Sequence, residues 1–504
     1  MRLKHAYSTT GDLTLVSQKA FTYKTAQQLL DGARELHLDD VIGVETDLSC
    51  LFQPVTIGGR TVGNRMAIHP MEGCDGELNG NPGELTYRRW ERFGRGGCKL
   101  IWGEAVAILD EARANSRQLW LHEGSFPEMT RLLEKLREQH RENWGANACS
   151  DLLVGCQLTH SGRYSFRRPL IAMHDPSLDP ATLIPNPNGS DAKVPMTPDY
   201  PVLSDDELKR IEDAYVVAAK LAVKAGFDFI DLKQCHRYLL SELLASHARP
   251  GPYGGSLENR TRLVRNVLAR IRNEVSKDIM LATRMNLCDY VPYMKGPDGF
   301  GKPRPYTTPY QWSFGVNKDK PETEDLSEPK QVVKMLRDAG LSLFNLSLGN
   351  PYNNPHYGRP FEIAPLDGYH SPEHPLCGVA RHFRVAAEMQ KAFPDVPMVG
   401  TGYSWLQHHF LSCGAANVKA GRITLVGVGR GAFAYPDFVK DIKEKGHIDD
   451  DKACIAISSC TALMRAKGNE LGQFPSGCVP KDKFYGPIYR EAIHAFKAGN
   501  KPKK

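Results

Sequence analysis

Eight times between Arg65 and Lys445, a short apolar run gives way to a stretch of helical periodicity. No other feature constrains the fold as tightly. Parallel strands need a crossover between them, so strand–helix alternation implies a parallel sheet with its helices outside. The runs lie at 65–71, 99–106, 152–160, 227–232, 279–285, 343–349, 396–402 and 423–430. Helices are predicted after them at 83–97, 126–141, 205–225, 257–275, 329–339 and 379–393, then a short one ending at 411 and a last at 436–445. In 205–225, Leu208, Ile211, Ala214 and Ala218 recur at three- and four-residue spacing, which marks one helix face. Eight units predict an α/β fold of the closed (β/α)8 TIM-barrel type, with an open doubly wound sheet as the alternative.

Such a barrel needs roughly 250 residues, and the chain has 504. Residues 1–46 read as an N-terminal extension with one helix at 25–36, 47–445 as the barrel, and 446–504 as a C-terminal tail with three cysteines. Pro/Gly-rich insertions at 161–203, 286–327 and 350–376 follow the third, fifth and sixth strands. All three fall on the C-terminal face, where barrels keep their chemistry. They are expected to wall a partly covered pocket rather than to be tolerated surface loops.

Charge narrows the partners. The 64 basic and 58 acidic residues nearly cancel, so neither nucleic acid nor a membrane surface is an expected partner. A small-molecule substrate is expected, and self-association is compatible with the sequence. No run of 18 apolar residues exists for a membrane span, and residues 1–18 lack the apolar core of a signal peptide. Twelve cysteines scattered over a large chain read as reduced thiols in a cytoplasmic protein.

The stretch from Gly226 to Arg262 carries the first chemistry. Its apolar run turns abruptly into Lys233, Gln234, His236, Arg237 and Tyr238 at the C-terminal end of the fourth strand. Polar groups there are costly unless they have work to do. Ser256 is a candidate N-cap for the next helix. The seventh and eighth strands end in Gly400-Thr401-Gly402-Tyr403 and Gly427-Val428-Gly429-Arg430. Glycines at this address let backbone N–H groups approach a phosphate, and Arg430 would add a charge-assisted contact. Simple turn glycines are the plainer reading. Gln157 and Arg284, at the ends of the third and fifth strands, could hold a flat heteroaromatic ring, or be a satisfied core amide and a buried ion pair.

From Leu51 to Lys445 the chain resembles the old yellow enzyme family of flavin-dependent oxidoreductases. The matching pieces are LFQPVTIGGRTVGNRMAIHPM, GEA at 103–105, QLTHSGR at 157–163, AGFDFIDLKQCHRYLLSELL, YGGSLENRTR at 253–262, TRM around Arg284, and the two glycine strand ends. The resemblance implies non-covalent FMN on the C-terminal face, with NADH or NADPH as electron donor. Gln157 and Arg284 would contact the isoalloxazine. Ala67 to Met71, with Pro70 among them, and Glu104–Ala105 would line it. Gly402, Tyr403, Gly429 and Arg430 would hold the phosphate. The resemblance also implies reduction of an activated C=C bond, with Tyr238 as proton donor and His236 and Lys233 holding the activating oxygen.

Lys233 stands where the family usually has His. This keeps open a flavin-dependent amine dehydrogenase or demethylase on the same barrel, or a flavin-binding protein without ene-reductase turnover. Glu72 would then anchor an amine, or pair with Lys233. Larger family members, of the 2,4-dienoyl-CoA reductase type, follow the barrel with cysteines spaced about C-x2-C-x3-C-x11-C for a [4Fe–4S] cluster. Here Cys454, Cys460 and Cys478 remain, with Ile457 at the second place. The tail reads as a degenerate remnant, so no cluster and no metal are expected. Zinc with an outside ligand is the alternative.

Overall fold

The computed structural model describes residues 20–188, 193–365 and 367–499. Residues 1–19 of the N-terminal extension, and the signal-peptide reading made on them, lie outside the described residues. The strands are β1 (Met66–Ile68), β2 (Leu100–Ala107), β3 (Leu153–Thr159), β4 (Phe229–Leu232), β5 (Met280–Cys288), β6 (Leu341–Leu348), β7 (Met398–Gly400) and β8 (Leu425–Val428). Each pairs in parallel with the next, and β8 returns to β1 through Val426 opposite Met66 and Gly427 opposite Ala67. The predicted (β/α)8 barrel is therefore closed, and the open-sheet alternative falls.

The strands read as continuous apolar runs because both of their faces are covered. All eight residues of β2 are buried. Inside the barrel, Trp102 meets Phe229 edge to face at 5.0 Å. The hairpin Val55–Ile57/Arg60–Val62 plugs the end where the strands begin. Its Ile57 and Val62 pack with Leu100, Leu153 and Met280, the first residues of β2, β3 and β5. Each such fully buried side chain contributes roughly 1.5–3 kcal/mol. The opposite end stays free for polar groups.

The barrel helices are α1 (Glu84–Gly96), α2 (Phe126–Trp144), α3 (Asp205–Ala225), α4 (Arg262–Arg270), α5 (Ser327–Asp338), α6 (Pro375–Ala392), α7 (Phe410–Lys419) and α8 (Phe438–Lys445). α3 starts on a Ser204–Glu207 capping box and stops at Gly226, whose φ of 96° only glycine adopts freely. The continuous helix expected over 257–275 is broken. A turn over Leu257–Arg260, capped by Ser256, precedes α4, and a π-turn over Ile271–Val275 follows it. At the first break, Thr261 Oγ1 donates back to the carbonyls of Leu257 and Glu258. The helix expected to end at 411 is instead a 3-10 segment over Tyr403–His409, and α7 only then begins.

The tail folds back onto the barrel. Its helices are α9 (Ser459–Arg465) and α10 (Tyr485–Gly499). Asp482 pairs with Arg88 and Arg92 of α1, both at 2.8 Å. Ser476 N donates to Gly73 O at 2.6 Å. Leu463, Phe474 and Tyr485 form a small core of their own, against which Leu85 of α1 packs. All twelve cysteines are free thiols. Among the described residues, no helix is long and apolar enough to cross a membrane.

Candidate active site at the mouth of the barrel

A cavity with about 1040 Å³ of empty space, its mouth included, opens at the C-terminal end of the strands. Residues just past β1 (Pro70, Met71, Glu72), β4 (Lys233, His236, Tyr238) and β8 (Gly429, Arg430) line it, with Arg284 of β5 and Thr401 and Gly402 after β7. The insertion after β6 adds Tyr352 and Arg359, and the tail adds Cys460, Thr461, Met464 and Ser476.

The end of β4 is held in an uncommon conformation. His236 and Arg237 have φ of 65° and 59°, the left-handed region that non-glycine residues rarely occupy. Two such residues in succession persist only where the surroundings over-determine them. Arg237 does this by reaching Asp175 (2.8 Å), Asp289 (3.5 Å) and the carbonyl of Trp312, all on the insertions after β3 and β5. Asn350 Nδ2 donates to the His236 carbonyl at 2.7 Å, and Ser241 Oγ accepts from the Arg237 N–H. The polar residues after β4 therefore anchor the insertions and, in return, are aimed into the cavity.

Three groups there can meet a carbonyl-bearing ligand. Lys233 Nζ lies 3.8 Å from the Tyr238 ring centroid and 3.7 Å from Glu72 Oε1. Of the two readings of Glu72, the ion pair with Lys233 is present, at a separation that leaves the ammonium free to donate elsewhere. Burial pushes the Glu72 carboxyl up, and Lys233 pulls it part of the way back. The Tyr238 hydroxyl lies 3.0 Å from that of Tyr352. Burial, then the charge of Glu72, holds Tyr238 far above the ordinary tyrosine range, so it keeps its proton. Burial and the charges of Arg284 and Lys233 hold His236 well below its ordinary range, so it is neutral, with Nε2 3.2 Å from Ser347 Oγ.

The far end of the cavity is cationic. Arg430 spends Nη2 on the Pro360 carbonyl (2.7 Å), and its Nη1 has no partner among the described residues. Arg359 spends Nη1 on Ser458 Oγ (3.2 Å), and its Nε and Nη2 have none among the described residues. Burial, then the charges of Arg430 and Arg465, pulls Arg359 down to about 9. Two guanidiniums with orphaned N–H groups, in a cavity end that no carboxylate lines among the described residues, are poised for an anion. Gly402, with φ of 105°, keeps the backbone close, and a Cβ there would meet the His382 ring. Gly427 has a different duty: a Cβ would come within 2.3 Å of the His69 ring.

The sequence profile of the NADH:flavin oxidoreductase / NADH oxidase family matches residues 50–301. The chain belongs to that family. It is an old yellow enzyme-like barrel, as the resemblance led us to expect. It is 25% identical over 469 residues to dimethylamine dehydrogenase of Hyphomicrobium sp. (strain x), covering 90% of this chain and 52% of that one. The chain thus spans about half the length of this curated relative. A 2-naphthoyl-CoA reductase solved with 2-naphthoyl-CoA superposes with a TM-score of 0.63 at 18% identity, covering 88% of this chain and 58% of that one. The old yellow enzyme homologue from Zymomonas mobilis superposes with a TM-score of 0.54 at 20% identity, covering 80% and 94%. At these identities the structures share the fold.

FMN fits the residues present. The orphaned N–H groups of Arg359 and Arg430 would suit its phosphate, and Arg284, whose Nε is unpartnered among the described residues, lines the same cavity. Of the residues singled out from sequence, the structure brings Pro70, Met71, Lys233, His236, Tyr238, Arg284, Gly402, Gly429 and Arg430 to one cavity. Ala67, Glu104, Ala105, Gln157 and Tyr403 are buried beside it rather than among its lining residues. Gln157 Nε2 donates to Asp231 Oδ2 at 2.6 Å, and Glu104 holds Arg89 and the Trp90 Nε1–H. Sequence reasoning missed Tyr352, Arg359 and the tail residues. The one available signal was two prolines, Pro351 and Pro355, pinning the Tyr352 loop. Of the tail cysteines, Cys460 reaches the cavity, and burial pushes the Cys454 and Cys478 thiols up.

Proposed function

We propose that this protein uses FMN to pass electrons from NADH or NADPH to an activated C=C bond of a small acceptor. One observation carries the reading: Tyr238, a hydroxyl held protonated, shares a cavity with the Lys233 ammonium and with two arginines awaiting an anion. When bound, the flavin supplies two-electron hydride chemistry. The chain's residues do the rest. Arg359 and Arg430 bind the phosphate, and Arg284 faces the ring system. Lys233 and His236 hold the acceptor's activating oxygen, where negative charge develops. Tyr238 gives its proton to the carbon next to the activating group, and Tyr352, within hydrogen-bond reach and half-buried, can return one from solvent.

A second reading has its own support. Glu72 places a carboxylate in the cavity with Tyr238 and Tyr352, a setting suited to an amine, and the similarity to dimethylamine dehydrogenase runs over 469 residues. Against it, the Lys233 ammonium already occupies the face of Tyr238 and would repel a second cation. Anaerobic half-reactions separate the readings. Bleaching of the bound flavin by NADPH, followed by reoxidation with 2-cyclohexenone, is expected. Bleaching by dimethylamine and not by a nucleotide would select the amine reading. No bleaching by either would leave a flavin-binding protein without turnover.

A further inference from the structure

A second cavity, with about 1250 Å³ of empty space including its mouth, lies beside the first and shares none of its lining residues. Two residues of its lining touch residues of the first. Tyr164 faces the outer chamber, and its ring lies 4.6 Å from that of Tyr352 and 5.7 Å from that of Tyr238. Asn115 also faces the outer chamber, and its Nδ2 lies 3.4 Å from Glu72 Oε2.

The chamber's charge is one-sided. Lys193 comes to it from the hairpin after β3, and Lys467 from the tail. Neither makes an ion pair among the described residues. The Lys467 Nζ rests on the neutral Gln473 Oε1. Desolvation pulls the Lys467 ammonium down, against the nearby Cys74 thiol and with the Lys193 charge; both lysines line the same chamber. Arg163, also in the wall, is neutralised by Asp179 and Glu242 at 2.5 and 2.8 Å. Among the described residues, no carboxylate lines the chamber. The buried Ser165 hydroxyl lines it and has no partner among the described residues. Phe166 and Pro169 give an apolar flank. Two unpaired ammoniums and a spare hydroxyl beside an apolar strip are suited to an organic anion.

We propose that this outer chamber is an anion-binding subsite. It holds the phosphate- or carboxylate-bearing tail of a reactant whose reactive end lies in the barrel-mouth cavity, past Tyr164 and Asn115. This rests on the flavin oxidoreductase reading above. The anion has two candidate sources, the nucleotide donor and an acidic acceptor.

The test uses the full-length holoenzyme and the charge-reversed double variant Lys193→Glu/Lys467→Glu, with Lys193→Gln/Lys467→Gln as a milder control. Calorimetric titration with ADP reads the nucleotide source without turnover. The oxidative half-reaction of dithionite-reduced enzyme, with anionic 3-benzoylacrylate against neutral 2-cyclohexenone, reads the acceptor source. A tenfold or greater weakening of ADP binding assigns the chamber to the nucleotide tail. A tenfold or greater weakening for 3-benzoylacrylate, with less than twofold for 2-cyclohexenone, assigns it to an acidic acceptor. If charge reversal moves neither ADP nor 3-benzoylacrylate, or moves the neutral enone equally, the proposal is overturned. A wild-type protein without flavin sinks the functional reading instead, and the ADP titration then decides the chamber alone.

Discussion

At the scale of single residues, the account turns on Tyr238, Tyr352 and Lys233. Replacing Tyr238 with Phe removes the proton donor, and general-acid contributions are on the order of 10²–10⁴-fold. Stopped-flow should show that loss in reoxidation by an enone and little change in reduction by NADPH. Tyr352→Phe should slow reoxidation less and raise its solvent isotope effect, because the 3.0 Å contact to Tyr238 is then lost. An equal slowing of both half-reactions would argue for a structural role. Lys233 is the departure that sequence alone already exposed. Its head is held between Glu72 and the Tyr238 ring. If that hold restricts simple enones, Lys233→His should raise 2-cyclohexenone turnover severalfold, and unchanged or lower turnover would clear the lysine of that role.

At the scale of elements, strands and most helices were legible because a buried parallel strand is an uninterrupted apolar run and a barrel helix carries an apolar stripe. α3 matches its expected bounds because both ends are chemically marked, by Ser204 and by Gly226. The break at Thr261 was not legible, since a threonine's back-bond leaves no mark in the apolar pattern. Nor was the duty of Gln157, which depends on a partner 74 residues away. That partner, Asp231 of β4, accepts from Trp102 Nε1 and Gln157 Nε2, both at 2.6 Å, and from the Arg284 N–H at 2.8 Å. Burial pushes its carboxyl from 3.8 up to about 6. A folded value above the unfolded one means the folded state binds the extra proton. The resulting stability is complete below pH 4 and is lost as pH rises through 6. The melting temperature of the wild type relative to Asp231→Asn should therefore fall between pH 4 and 6 and stay level above. A flat difference across that window would show that Asp231 is ionised throughout.

At the scale of the whole molecule, the barrel and the β4 side of the site could be read from the sequence, whereas the individual residues that wall the pocket could not. Three insertions on the C-terminal face were expected to cover a pocket; the one after β6 lines the barrel-mouth cavity, and those after β3 and β5 do not. The closing role of the tail was invisible, because Cys460, Thr461 and Met464 lie more than two hundred residues from the β4 groups they face. Arg359 was hidden for the same reason: an arginine in a loop without periodicity shows its use only when its N–H groups are seen without partners. These two arginines also give the most direct test of the central claim, that the barrel mouth holds FMN. The measurement is the visible spectrum of the purified protein during titration with FMN. Saturable flavin absorbance is predicted, with affinity lowered about 100-fold or more in Arg359→Ala/Arg430→Ala, since each charge-assisted bond contributes on the order of 1.5–3 kcal/mol. A protein that takes up no flavin under these conditions would contradict the account.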